Sequence, residues 1–391
     1  MKLRTKGTPI NINEPLVLKA TRYKYKLNNP NYCLILDDDY PVNSKYDSDV
    51  ILTTSHDLNT NIYSGTGVYK IKDLSHISED DILLIGQNGN IKTLYRINSS
   101  HNYLLLTERC NSNCLMCSQP PKDREDIAAL HEIHKKLIPL IPKNCHELIL
   151  TGGEPMLLGL LFFELLELIK KELPNTEIHI LTNGRLFAFN HLAERLSKIN
   201  NPRIMLGVPL YSDFYQIHDY VVQSKDAYYQ TLMGIYNLKR YGIRVEIRVV
   251  LHKITTPRLY KLSKFIYRNL TFVDQVVFMG LEITGFTIAN LSELWIDPIN
   301  YMDELEKSVH FLNDRGVNAW IYNTPLCLLP ENLWCYNKNS ISDWKNIFLD
   351  ECQHCAVLDK CGGLFESSTR KHSEYIKAFK VNPIEENTLA E

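Results

Sequence analysis

Between residue 101 and about residue 290, short apolar runs alternate with longer stretches in which apolar residues return every three or four positions. The runs are Tyr103-Leu104-Leu105-Leu106, Leu148-Ile149-Leu150, Ile178-His179-Ile180-Leu181, Ile204-Met205-Leu206-Gly207-Val208, Val245-Glu246-Ile247-Arg248-Val249-Val250 and Val276-Val277-Phe278-Met279, each of strand length. Between them, Leu157, Leu161, Leu165 and Ile169 recur as one face of a helix requires. Strand, helix and strand in repetition predict a parallel sheet with helical crossovers. Six strands are too few for an eight-stranded barrel. The expected fold class is therefore α/β, an open or partial barrel with its site at the carboxyl ends of the strands.

The flanks read differently. Residues 1–100 carry strand-like runs such as Tyr32-Cys33-Leu34-Ile35-Leu36 and Ile82-Leu83-Leu84-Ile85-Gly86, separated by turn clusters such as Asp37-Asp38-Asp39 and Gln87-Asn88-Gly89-Asn90. Little there has helical periodicity, which predicts a β-rich N-terminal module. After about residue 321 the chain turns irregular and cysteine-rich. Three regions follow: 1–100, 101–320 and 321–391.

Composition removes some partners. The 43 Lys and Arg against 45 Asp and Glu give a formal net charge of -2, so no general basic field points to nucleic acid or an anionic membrane. The N-terminus lacks an apolar stretch of the secretory kind, and the densest apolar run, Met156 to Phe163, is too short to span a bilayer. The expectation is a soluble, cytoplasmic protein without membrane or nucleic-acid partners. Ten cysteines in that compartment stay reduced, so clustered ones read as metal ligands before disulfides.

Cys110-Asn111-Ser112-Asn113-Cys114-Leu115-Met116-Cys117 follows the first strand of the alternating region, which puts three thiols on one loop above the sheet. Clusters held by cysteine normally use four, so three leave one iron of a four-iron cluster open. An open iron can chelate the amino and carboxylate groups of S-adenosylmethionine, whose reductive cleavage gives a 5′-deoxyadenosyl radical. Zinc is the competing reading, and a Cys-x3-Cys-x2-Cys run with no fourth Cys or His nearby suits it poorly.

The second strand ends in Thr151-Gly152-Gly153-Glu154-Pro155, where glycines admit a close-lying ligand and Glu154 can accept from its ammonium. By itself such a turn is equally an ordinary helix entry. Its place one strand after the triplet is what gives it weight. Thr182-Asn183-Gly184 closes the third strand, and Asn183 is a candidate beside the ligand. On the fourth, Tyr211-Ser212-Asp213 offers the Ser212 hydroxyl to a ribose, against the plainer reading of solvated loop residues. Arg248 shares a strand face with Arg244 and Glu246, either to meet a ligand carboxylate or to pair with its neighbours.

The triplet, the Gly-Gly-Glu-Pro turn and the six-strand pattern together resemble the radical S-adenosylmethionine superfamily over about 101–290. That resemblance implies a partial (β/α)6 barrel with a [4Fe-4S] cluster on Cys110, Cys114 and Cys117. Met116 departs from it, because the position before the third cysteine is commonly aromatic; Met is apolar and adaptable enough to pack there.

Near the end, Cys327, Cys335, Cys352, Cys355 and Cys361 offer enough thiols for a closed four-ligand site. Zinc and iron–sulfur both accept four thiolates. Beside a radical site an auxiliary iron–sulfur cluster is favoured, because oxidative closure of a substrate radical must release an electron. The chosen ligands are Cys327, Cys352, Cys355 and Cys361, with Cys335 spare and Cys33 and Cys145 as small apolar residues.

The run Glu108 to Pro121 is similar to the cluster loop of the His-Xaa-Ser system radical maturases, in particular the C member of the maturase pair. Tyr322 to Cys327, Ile341-Ser342-Asp343-Trp344-Lys345 and Cys361-Gly362-Gly363-Leu364-Phe365 resemble the tail of that family. The resemblance implies a precursor-peptide substrate with His-Xaa-Ser repeats, a second radical maturase as partner, and an electron donor such as flavodoxin or ferredoxin. Side-chain crosslinking is the expected outcome. Epimerisation, with Cys335 as hydrogen donor, is the enzymatic alternative, and a non-catalytic metal-bearing peptide binder is the alternative outside catalysis.

Overall fold

The computed structural model describes residues 3–36, 50–55, 65–343 and 345–381. The Asp37–Asp39 cluster and Trp344 lie outside them. Two compact units emerge: one comprises 1–105, 126–149 and 164–176, the other 106–125, 150–163 and 177–391.

The first unit is built on a mixed sheet whose strand order is Arg4–Lys6, Asn90–Tyr95, Ile82–Ile85, Leu16–Thr21, Tyr32–Leu36, Val50–Thr53, Thr66–Tyr69 and Thr8–Ile10. The pairs from Leu16–Thr21 through Thr66–Tyr69 are parallel. A parallel strand covered on both faces needs apolar residues at every position, and Tyr32–Leu36 fits. Its Cys33 and Ile35 join one apolar cluster with Leu52, Val68 and Leu83, while Leu34 and Leu36 join another with Ile51. The Gln87–Asn90 cluster makes the turn its sequence predicts: Gly89 takes φ 76, and the Gly86 N–H donates to the Asn90 carbonyl at 2.8 Å.

In the second unit, Glu177–Leu181, Ile204–Pro209, Arg244–Val250, Gln275–Met279, Ala319–Tyr322 and Asn337–Lys338 pair in parallel and in chain order. The helices Asn190–Lys198, Ala227–Arg240, Leu259–Asn269 and Met302–Asn313 lie between successive strands. The fold is the expected mixed α/β class with a parallel sheet. Asn102–Leu105, Glu147–Thr151 and the first four strands above match the six apolar runs, whereas Ala319–Tyr322 and Asn337–Lys338 were not anticipated. Ile204, Leu206, Val208, Val245, Ile247 and Val249 are buried, as interior parallel strands require. Among the described residues no helix is long and apolar enough to cross a membrane.

Candidate functional site

The triplet loop is pinned from three directions, all within the second unit. From below, the Gly153 N–H donates to the Thr107 carbonyl and the Glu154 N–H to the Arg109 carbonyl, both at 2.8 Å. The two glycines are needed for this approach. A Cβ on Gly153 would stand 2.0 Å from the Arg109 carbonyl oxygen, and one on Gly152 would stand 2.6 Å from that of Thr107. From one side, Asn113 and Leu115 donate their N–H groups to the carbonyls of Val222 and Val221, where helix Tyr215–Val222 ends. From the other, segment 285–290 closes over the loop. Its Phe286 N–H donates to the Cys117 carbonyl at 2.9 Å, the Thr287 hydroxyl to the Met116 carbonyl at 3.2 Å and the Asn290 amide to the Leu115 carbonyl at 2.9 Å. Gly285 enables that strap, taking φ 57 where an added Cβ would meet the Cys117 carbonyl oxygen at 2.3 Å.

Burial pushes the Cys110 thiol up to about 11 and the Cys114 thiol up to about 12, with nearby Cys117 adding to both shifts; burial raises Cys117 as well. Buried thiols of this kind stay neutral until a metal displaces their protons. Among the described residues no three His, Cys, Asp or Glu side chains are gathered tightly enough to hold one metal ion as they stand. The fit to an iron–sulfur cluster rests instead on the donor set, three thiols on a single loop with no fourth beside them.

Glu154 is fully buried, and its carboxylate is already committed. Oε1 accepts from the Met156 N–H at 2.9 Å and the Thr182 hydroxyl at 2.7 Å, and Oε2 accepts from the Asn183 N–H at 2.8 Å. Burial raises its pKa despite these bonds, which act the other way. Glu154 thus ties the end of strand Glu147–Thr151 to the turn after Glu177–Leu181, a role the sequence reading did not include.

Asn183 donates from Nδ2 to Asn111 Oδ1 at 2.6 Å, with Cys110 Sγ 4.0 Å away. The reading missed its neighbour Arg185, which donates to the Asn111 carbonyl, to Ser112 Oγ at 2.9 Å and, through Nε, to Gln230 Oε1 at 2.7 Å. An arginine directly after an Asn-Gly strand end was the only available signal. Tyr211 was also undervalued. It is buried against Met116, with Cys114 packed on the same cluster, and its hydroxyl is raised by burial first and then by the Cys114 and Cys117 thiolates.

The plainer reading of 211–213 as solvated loop residues is corrected here. Tyr211 and Ser212 are buried, and Asp213 receives both arms of Arg258 at 2.8 and 2.7 Å. Ser212 is engaged within its own turn, where Oγ accepts from the Phe214 N–H at 3.1 Å. Arg248 donates to Glu246 Oε1 at 2.7 Å, so the neighbour pairing is present, while Arg244 turns instead to Glu177 at 3.0 Å. Burial is the largest influence on Glu246 and acts upward, yet Arg248, His179 and Gln275 together hold its pKa down to about 2.

In the tail the four chosen cysteines lie close enough for charge on one to act on another, though not, as they stand, within reach of one metal ion. Burial raises the Cys327 thiol, and charge on Cys361, Cys352 and Cys355 raises it further. Cys352 likewise feels Cys361 and Cys355. Cys327 and Cys352 pack on Leu328, Leu364 and Ile376, and Cys355 Sγ accepts from the Phe379 N–H at 3.4 Å. Cys335 stands exposed, its thiol directed to the Asn332 carbonyl at 3.8 Å, and Cys33 and Cys145 are buried in the first unit.

Three thiols on a strand-end loop, backed by a Gly-Gly-Glu-Pro turn on a parallel sheet, define a class, and comparison agrees: residues 104–266 match the model of the Radical SAM superfamily. Among curated proteins the chain is similar to the uncharacterized protein MJ0907 of Methanocaldococcus jannaschii, 26% identical over 243 residues, covering 60% of this chain and 78% of the relative. Among solved structures it is similar to Streptococcus suis SuiB bound to S-adenosylmethionine, with 16% identity and a TM-score of 0.45. That alignment covers 56% of this chain and 49% of SuiB, so the chain spans about half of SuiB's length. Native anSMEcpe with bound AdoMet aligns with 21% identity and a TM-score of 0.43, covering 56% of this chain and 62% of that one. HemN of Escherichia coli aligns with 14% identity and a TM-score of 0.44, covering 55% and 53%.

Proposed function

We propose that this protein is a radical S-adenosylmethionine enzyme that modifies a ribosomally made precursor peptide of the His-Xaa-Ser type by crosslinking side chains. The observation that carries the radical reading is the loop of Cys110, Cys114 and Cys117, three thiols fastened by the glycine turn and the 285–290 strap, with no fourth Cys or His within the loop. Cys110, Cys114 and Cys117 would hold a [4Fe-4S] cluster, which would supply the electron for reductive cleavage of S-adenosylmethionine. The chain's own part is positional. Asn183 and Arg185 fix the Asn111–Ser112 segment, Glu154 locks two strand ends together, and Tyr211 with Met116 closes the apolar side of the loop.

The peptide assignment is supported by the sequence resemblance of the cluster loop and tail. Crosslinking removes two hydrogen atoms from the peptide, one to the adenosyl group and one as a proton and an electron. Cys327, Cys352, Cys355 and Cys361 would hold the auxiliary cluster that takes that electron, with zinc as the alternative occupant. A second maturase and a flavodoxin- or ferredoxin-like donor complete the system. Exposed Cys335, outside the tail group, keeps epimerisation as the second reading, since that outcome needs a hydrogen donor.

The test is anaerobic incubation of reduced protein with S-adenosylmethionine and a candidate precursor peptide, followed by mass spectrometry of nucleoside and peptide. 5′-Deoxyadenosine together with a peptide lighter by two hydrogens is the expected result. Peptide mass unchanged in ordinary water but raised by a deuterium in heavy water, with that uptake abolished in Cys335→Ala, would select epimerisation. No consumption of S-adenosylmethionine would leave the non-catalytic peptide binder.

A further inference from the structure

Above the carboxyl ends of three neighbouring strands, the second unit contains a pocket of about 540 Å³ including its mouth. Its floor is supplied by residues directly following Arg244–Val250, Gln275–Met279 and Ala319–Tyr322, namely Leu251, Gly280 and Leu281, and Asn323 and Thr324. Two walls connect it to the two thiol groups. Leu281 also packs on the cluster of Tyr211 and Met116, while Leu328, Leu364 and Ile376 are the residues against which Cys327 and Cys352 pack. A group seated in the pocket is thus one side-chain layer from each.

The lining chemistry is one-sided. Trp295 and Tyr301 add aromatic surface to the leucines, and among the described residues no Asp or Glu lines the space directly, although Asp297 stands behind the wall and accepts from the lining Ser373 hydroxyl at 2.7 Å. Lys371 stands at the mouth with Nζ 5.7 Å from the centre of the Trp295 ring, and no carboxylate partners it among the described residues. Thr324 is buried, and its hydroxyl has no hydrogen-bond partner, a costly state unless something entering the pocket accepts from it. His372 donates from Nδ1 to the Ser368 carbonyl at 2.8 Å. Apolar walls, an unused hydroxyl and an uncompensated cation together favour an apolar body carrying acceptor oxygens and a negative charge, and disfavour a cationic one.

We propose that this pocket seats an apolar side chain of the substrate and reads an adjacent carboxylate through Lys371. The inference rests on the peptide reading above for what the carboxylate belongs to: an acidic residue beside the seated one, or the end of a chain. Full-length, anaerobically reconstituted protein holding S-adenosylmethionine is titrated, with saturation-transfer NMR as readout, against N-acetyl-Asp-Phe-amide, its neutral counterpart N-acetyl-Asn-Phe-amide, and N-acetylphenylalanine. The two acids distinguish an internal carboxylate from a terminal one. Because Lys371 is exposed, the better acid should bind about three- to fivefold more tightly than the neutral dipeptide. Lys371→Gln should erase that preference, and Ser368→Trp, which fills the mouth from a half-buried position, should abolish binding of all three with the melting temperature and S-adenosylmethionine binding retained. Equal affinity of wild-type protein for acids and amide overturns the proposal, as does undiminished binding in Ser368→Trp. No turnover is needed, so a protein that shows the preference but never consumes S-adenosylmethionine upholds the pocket and refutes the enzyme reading. One that consumes it without the preference does the reverse.

Discussion

Each oxygen of Glu154 faces hydrogen-bond donors, so an amide cannot stand in for the carboxylate. In Glu154→Gln the new NH2 group must oppose either the Met156 N–H or the Asn183 N–H, and an opposed buried donor costs about 1–3 kcal/mol. The expected outcome is a melting temperature lowered by about 3–8 °C, measured by calorimetry without any ligand. An unchanged melting temperature with weaker S-adenosylmethionine binding would return Glu154 to the ligand-contact role that its sequence context suggests. Arg248 has a parallel dependence, since it neutralises the wholly buried Glu246. Arg248→Met strands that charge, with an expected loss of about 3–5 kcal/mol at neutral pH. The sign with pH follows. Glu246 has a depressed folded pKa, so in the wild type its stabilisation is complete above about 4.5 and is lost as pH falls toward about 2. Without Arg248, burial raises the same group and protonation relieves the variant. Its deficit should therefore begin to narrow above pH 4.5 and go on narrowing as pH falls toward about 2 in urea melts, and Arg248→Met with Glu246→Gln should regain part of the loss. A deficit independent of pH would mean that Arg248 acts through packing alone.

At the scale of elements, the six long strands were legible because interior parallel strands are apolar on both faces, as in Ile204–Pro209. Asn337–Lys338 has two polar residues, so the sheet recruits it by pairing rather than by pattern, whereas Ala319–Tyr322 is no shorter than the legible Asn102–Leu105 but lies beyond the alternating 101–290 stretch. The thiol loop itself was readable, but its fastenings were not. Arg185 reaches Ser112 across 73 residues and Asn290 reaches Leu115 across 175, distances over which a single sequence carries no pairing signal. Glycine shows the difference between local strain and contact. Gly153→Ala would drive a methyl into the Arg109 carbonyl and displace the loop, whereas Gly242→Ala, at φ 74 with nothing within 4 Å, should cost only the left-handed penalty of about 1–2 kcal/mol. Iron analysis after anaerobic reconstitution should find the loop's share missing in Gly153→Ala and retained in Gly242→Ala. Full iron in both would show that the loop tolerates the intrusion.

For the whole molecule, the two thiol groups lie far apart in sequence, and the tail's four cysteines follow every long strand of the sheet. If both thiol groups hold four-iron clusters, as proposed, the chain would carry about eight irons. Cys355→Ala with Cys361→Ala should lower that by about half and leave 5′-deoxyadenosine formation measurable while the modified peptide disappears. Normal product from that variant, or zinc in the tail of the wild type, would make the tail structural. The spacing of the tail cysteines left zinc and iron–sulfur open, because both metals accept the same thiolates. The 285–290 strap adds a consequence in time. Thr287 holds the Met116 carbonyl across 171 residues of chain, which a ribosome takes roughly 10–35 s to add. Throughout that interval the three thiols have left the ribosome without their cover, exposed to oxidants and to stray zinc or copper. Iron delivered to the nascent loop would find it unfastened, so productive loading belongs after synthesis, and oxygen encountered during translation should harm this protein more than the same dose given to the finished apoprotein.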